Sequence, residues 1–197
     1  MFTFSKDFEH LFTECLTLTS NRAIMIITGV LLKMKNVKIR MRQLVDWGAA
    51  FWAGLISGVI SFALILIISG IVLGSPWYAT RLEASILLGS SILPPPTSFD
   101  LGIFVAALFV HLALAILFTF LVAAIVHKFG IVISVIGGAL IGLALYGINY
   151  YSLSYFFPWF YQFRSWMFLV EHIVFGAIAG GLYELFEVEV FVPEGSK

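Results

Sequence analysis

Two long stretches without a charged residue decide what this chain can fold into. Residues 47–80 and residues 129–163 contain no Asp, Glu, Lys or Arg. A helix needs about 20 apolar residues to cross the hydrocarbon of a bilayer, and both stretches exceed that length. Backbone N–H and C=O groups find no partners in lipid, so a spanning segment must satisfy them within itself as a helix or within a closed barrel. The runs are continuously apolar and lack the two-residue alternation of barrel strands. The expectation is an all-α, polytopic membrane helix bundle. Its four transmembrane helices fall at 47–73, 101–126, 131–153 and 166–186.

Composition agrees. Of the 197 residues, 61% are hydrophobic and 11% charged, and the mean hydropathy is +1.04. Soluble domains carry about 25% charged residues, so this chain has too little polar surface to face water all round. The formal net charge is zero, which gives no support for a nucleic-acid partner. A single cysteine, Cys15, excludes an intrachain disulfide and a cysteine-rich metal site.

Lys and Arg set the expected orientation. Lys33, Lys35, Lys38, Arg40 and Arg42 precede the first helix, and Lys128 sits in the tight turn His127-Lys128-Phe129-Gly130. The opposite loops offer only Arg81 and Arg164. The positive-inside rule then places both termini of this multi-pass protein in the cytoplasm. The acidic residues Glu184, Glu187, Glu189 and Glu194 count little in that rule.

The core domain is expected over residues 34–190, with a short tail at 191–197. Residues 1–33 are mixed in character. Their apolar run, 23–32, is too short to span, and they lack a small-residue cleavage pattern. Two readings stay open for this segment: a surface helix, or a stretch upstream of a biological start at Met34 or Met41. The first outer loop, 74–100, is long and only weakly polar. Residues 77–93 suit a helix lying on or dipping into the membrane, because Pro76 fits a first helical turn. The second outer loop carries Tyr155-Phe156-Phe157-Pro158-Trp159-Phe160-Tyr161, an aromatic belt suited to the lipid–water interface. The two halves echo each other weakly. Each has a glycine-rich helix, a Pro-Trp-aromatic triplet with an Arg, and a helix bearing a histidine.

Small residues mark the packing faces. Gly54 and Gly58, Gly138 and Gly142, and Gly176 and Gly180 each recur at spacing four, which lets helix backbones approach closely. Packing within one bundle and homodimerisation both fit these rows. His111 shares a helical row with Ala107, Ala115, Thr119 and Ala123, and His172 shares one with Gly176 and Gly180. Both histidines should therefore face protein. Glu171 lies about 100° around its helix from His172 and is expected to need a partner from another element, or a proton, with Arg81 the nearest plausible cation. Asn149 falls at a similar depth. Together His111, Asn149, Glu171, His172 and Arg81 form a candidate polar pocket. It fixes helix register, handles protons or a small solute, or holds a metal. The metal reading has least support, since no pair has local ligand spacing.

No G-x-S-x-G, phosphate-binding glycine loop, H-E-x-x-H or cysteine pair is present. No enzymatic activity, cofactor or metal is expected. Gly54-Leu55-Ile56-Ser57-Gly58, the Pro94-Pro95-Pro96 loop, His111, Gly137-Gly138-Ala139, Phe157-Pro158-Trp159 and Glu171-His172-Ile173-Val174-Phe175-Gly176 give residues 44–190 a resemblance. They resemble a family of small, uncharacterised four-helix bacterial inner-membrane proteins and, more distantly, the YagU-like proteins. Relatives of that family are often labelled sodium:proline symporters. Symporters of that class have more than ten helices, and this chain does not support the label. The expected function is that of a non-enzymatic membrane protein. Its partners would be the lipid bilayer and, through helix packing, a second copy or another membrane protein. The alternative is a small channel or transporter component built around the polar pocket.

Overall fold

The computed structural model describes residues 41–95 and 97–193. The segment 1–33 and the basic residues Lys33, Lys35, Lys38 and Arg40 lie outside the described residues. The chain divides into two units, residues 43–191 and the two chain ends, 1–42 with 192–197. Near the ends, β1 (Met41–Gln43) and β2 (Phe191–Pro193) form a two-stranded sheet. The larger unit is an all-α bundle. Its helices are α1 (Trp47–Leu73), α2 (Trp77–Leu88), α3 (Leu101–Val126), α4 (Ile131–Gly147) and α5 (Trp166–Phe186). Beyond α4 the helix continues as a π turn, Ile148–Ser152, and a 3-10 turn, Leu153–Tyr155. Among the described residues, four helical segments are long and apolar enough to cross a membrane: α1, α3, Ile131–Tyr155 and α5.

Local chemistry sets the helix limits. The Asp46 carboxylate caps α1 by accepting from the Ala49 amide at 2.9 Å. That bond holds the Asp46 carboxyl below the usual carboxylate range, against the opposing effect of burial. Gly74 ends α1 with φ of 74°, the left-handed conformation that glycine adopts without a Cβ penalty. Gly89 ends α2 in the same φ region, at 80°. The helix expected over residues 77–93 therefore stops at Leu88, and a short 3-10 turn, Ser90–Ile92, follows. Asp100 caps α3 by accepting from the Ile103 amide at 2.9 Å.

The outside of the bundle is apolar and the inside is tightly packed. Ile71, Phe109 and Val132 are 79%, 66% and 67% exposed. Side chains of this kind on the outer faces of helices that are apolar all round fit lipid, not water. Inside, α4 and α5 meet backbone to backbone. A Cβ on Gly138 would overlap the Gly176 carbonyl, one on Gly142 the His172 carbonyl, and one on Gly180 the Ser134 carbonyl. On the other side of the bundle, Gly54 lies against Ile116 and Thr119, and Gly58 against Ala115 and Leu112. All six glycines of the spacing-four rows are thus used within one chain.

The two ends of the bundle differ. At the end where α1 begins and α5 finishes the core is made of small residues (Ala49, Ala50, Ala53, Ala123) around Val122, Val126 and Tyr183. The Asp46 amide donates to the Tyr183 hydroxyl at 3.3 Å, and Ser134 donates to Glu184 at 3.0 Å. At the other end the core is bulky, with Ile65, Leu82, Tyr150, Phe160, Met167 and Phe168 in one cluster. The expected aromatic belt is therefore divided. Tyr155 and Phe156 are exposed, whereas Phe160 is buried against Tyr150. The Trp159 indole N–H donates to Ser85 Oγ of α2 at 2.8 Å, which ties the second loop to the first.

A difference in helix depth explains this thick cap. Ser61 hydrogen-bonds Glu171. Ser61 lies roughly 18 Å along α1 from its end at Leu73, but Glu171 lies only roughly 8 Å from the start of α5 at Trp166, at about 1.5 Å per residue. The helix α1 therefore runs roughly 10 Å past the start of α5. The segment 153–163 and α2 fill that step. The first outer loop accordingly packs into the end of the bundle, with Ala79, Leu82, Ala84 and Ser85 of α2 buried.

Candidate functional site: a histidine–carboxylate cavity

A cavity of about 80 Å³, measured as space open to the centres of water molecules, lies beneath that cap. On this measure one water needs roughly 10–15 Å³, so there is room for a handful of waters or a solute of similar size. Every long helical element and α2 contributes to the wall: Ser61 from α1, Glu83 from α2, His111 from α3, Asn149 and Tyr150 from the third span, and Glu171 and His172 from α5. Phe118, Phe157, Phe160 and Phe175 supply aromatic surface.

Two histidine–carboxylate pairs organise the polar part. His111 Nδ1 lies 2.9 Å from Glu83 Oε1, and its Nε2 lies 3.1 Å from the Gly58 carbonyl oxygen. Gly58, which has no side chain, sits against Ala115 and Leu112 of α3, so the backbone of α1 comes close to the helix that carries His111. In the second pair, His172 Nδ1 lies 2.8 Å from Glu171 Oε2 and 2.8 Å from the Phe168 carbonyl oxygen. Asn149 Nδ2 meets His172 Nε2 at 2.9 Å. The Ser61 hydroxyl donates to Glu171 Oε1. The His172 ring also stands edge-on to Tyr146 and Tyr150, with centroids 5.8 and 5.9 Å apart.

Four of the five residues expected from sequence, His111, Asn149, Glu171 and His172, meet at this cavity. Arg81 does not. Its guanidinium donates to the Ile92 carbonyl at 2.8 Å and to the Ser98 carbonyl at 3.1 Å, which pins the loop that follows α2. The expected Arg81–Glu171 pairing is therefore wrong. Also corrected is the expectation that Glu171 has no partner on its own helix. The His172 ring swings back along α5 toward Phe168, which brings Nδ1 within reach of the long Glu171 side chain despite the 100° step between them.

Sequence reasoning missed Glu83, the partner of His111. The available signal was its isolation, since Glu83 is the sole acid in residues 47–99. It also lies on the inward side of α2, beside the buried Leu82 and Ala84 and one turn on from the buried Ala79. Ser61, the hydroxyl donor to Glu171, was missed as well. Tyr150 enters through the π turn, an irregularity that the apolar pattern does not encode and that often accompanies functional sites.

Two acceptor atoms of the wall residues, Glu83 Oε2 and Asn149 Oδ1, are buried without a protein hydrogen-bond partner. Among the described residues no group of three His, Cys, Asp or Glu side chains is arranged to hold a metal ion. Fold and site together define a class, a multi-pass integral membrane protein of four apolar helices enclosing a histidine–carboxylate cavity. No family model, curated protein or solved structure matches the chain.

Proposed function

We propose that this protein is a small, non-enzymatic transport component that handles a small solute together with protons at the cavity beneath α2. The observation that carries the reading is the convergence of His111–Glu83 and His172–Glu171 on one cavity, with side chains from every long helix. Ionisable groups within membrane spans are costly, about 2.5–3.5 kcal/mol each on insertion scales, and commonly mark proton or solute paths. The rival reading is a scaffold that acts by packing with itself or another membrane protein. It rested on the glycine rows, and those rows are occupied inside the chain.

Glu171→Gln tests the reading. The Gln carbonyl can accept from His172 while its amide donates to Ser61, whose hydroxyl rotates to accept. The fold is expected to persist, with a melting temperature in detergent close to that of the parent. In proteoliposomes under an imposed pH gradient, the parent chain is expected to support flux and Glu171→Gln to lose it. Undiminished flux in a folded Glu171→Gln protein would remove the cavity from the pathway.

In the proposed orientation both termini face the cytoplasm of a bacterial inner membrane, and the α2 cap faces outward. Lys33, Lys35, Lys38, Arg40 and Arg42 before the first helix and Lys128 in the short turn, against Arg81 and Arg164 in the opposite loops, support it. A C-terminal reporter fusion is expected to be active only as a cytoplasmic reporter. Periplasmic activity of that fusion would reverse the orientation.

A further inference from the structure

The hydrogen-bond contacts point to one arrangement of protons on the cavity wall. A carbonyl oxygen only accepts, so His111 Nε2 carries a hydrogen toward Gly58. Nδ1 faces a carboxylate oxygen at 2.9 Å, and that contact is attractive only with a proton between them. Whichever partner holds it, the His111–Glu83 pair has no net charge. His172 Nδ1 faces two acceptors, the Phe168 carbonyl and Glu171 Oε2, and therefore donates. Its Nε2 receives the Asn149 amide, which leaves the ring neutral. Glu171 accepts at both oxygens, from Ser61 and from His172, and remains a carboxylate.

The wall therefore carries one uncompensated negative charge. Tyr150 is the remaining titratable lining residue and is neutral as a phenol. Among the described residues no Lys or Arg lines the cavity, and Arg81 is turned away to the Ile92 and Ser98 carbonyls. Of the four buried side-chain atoms without a partner among the described residues, the two on cavity-lining residues, Glu83 Oε2 and Asn149 Oδ1, are both acceptors. A buried charge without a counter-charge is expensive, and an excess of acceptors calls for a donor. The rest of the wall is aromatic and aliphatic, including Tyr150, Phe118, Phe160 and Phe175. Such faces attract organic cations.

We propose that the cavity binds a small protonated amine, a monocation with N–H donors and a short apolar substituent, an assignment that rests on the cavity being a solute site. The ammonium group sits toward Glu171 and the substituent toward the rings. The space of about 80 Å³ suits a ligand of a few heavy atoms.

The test uses the purified full-length protein in detergent, near neutral pH and at constant ionic strength. Its melting temperature is followed during titration with methylammonium chloride, and in parallel with sodium chloride, sodium acetate and acetamide. Methylammonium is expected to raise the melting temperature saturably, and the other three are not. Glu171→Gln is expected to weaken the methylammonium response by about tenfold or more, because it removes the one uncompensated charge. If that variant fails to fold, the probe series on the parent chain decides alone. Equal or stronger stabilisation by acetate or acetamide would overturn the cation assignment and leave a solute site standing. Stabilisation by none of the four would also overturn it, and the flux measurement would then decide the reading beneath.

Discussion

Gly176→Leu is expected to leave no folded protein in detergent. A Cβ at this position overlaps the Gly138 carbonyl oxygen and lies 3.0 Å from the Gly142 Cα. These are backbone atoms of a facing helix and cannot turn aside as a side chain can. Overpacking a forgiving core costs about 1–3 kcal/mol. Here the whole α4–α5 seam must open, since Gly138, Gly142, Gly176 and Gly180 all lie in it. The loss of dispersion contacts along that seam adds to the local clash. Gly54→Leu is expected to be severe as well, because a Cβ there lies 2.8 Å from the Ile116 Cα. Gly147→Ala is the control. It meets nothing within 4 Å, and alanine is favoured over glycine in a helix by up to about 1 kcal/mol. Its folded yield should match or slightly exceed that of the parent. Normal melting of Gly176→Leu would mean that α4 and α5 do not pack as described.

His111→Leu is expected to destabilise the protein by about 3 kcal/mol, read from denaturation in detergent. The change strips Glu83 Oε1 of its partner while Oε2 already lacks one, and it leaves the Gly58 carbonyl unpaired. Removing one member of a buried pair costs more than removing both, since the survivor remains desolvated. The double variant His111→Leu, Glu83→Leu is therefore expected to be more stable than His111→Leu alone. A double variant less stable than either single one would show that the two residues act independently. The comparison also tests whether α2 belongs to the bundle, because Glu83 is its polar link to α3.

The glycine seam and the His111 pair stand at opposite ends of what the sequence reveals. Gly138, Gly142, Gly176 and Gly180 announce themselves by spacing alone, and the structure puts them against each other's backbones. Spacing could not say that the facing helix belonged to the same chain. That depends on which rows meet when four helices are closed by short and long loops. The polar cluster was legible in part for a related reason. A histidine in an uncharged helix is conspicuous, and its helical row shows which side it faces. Its partner is set by tertiary packing. Glu83 lies 28 residues from His111 in the chain and reaches it because α2 packs into the step between α1 and α5. Arg81, two residues away, failed as a partner because loop carbonyls at Ile92 and Ser98 claim it first.

By itself, the sequence determined that the chain is an all-α membrane bundle with four long apolar helical segments. The absence of charge forces burial in lipid, lipid forces helices, and Asp46, Gly74 and Asp100 mark helix limits through their own backbone chemistry. These are local or solvent-driven constraints, and each is visible in a short window. Only the tertiary structure decided the relative depth of the helices, the insertion of α2, and the π turn that brings Asn149 and Tyr150 to the cavity. It also decided the partners of the two imidazoles, which come from Gly58, Glu83, Asn149, Phe168 and Glu171 on four different helical elements. No window of sequence holds that information, because hydrogen-bond partners are set by where apolar packing brings the helices together.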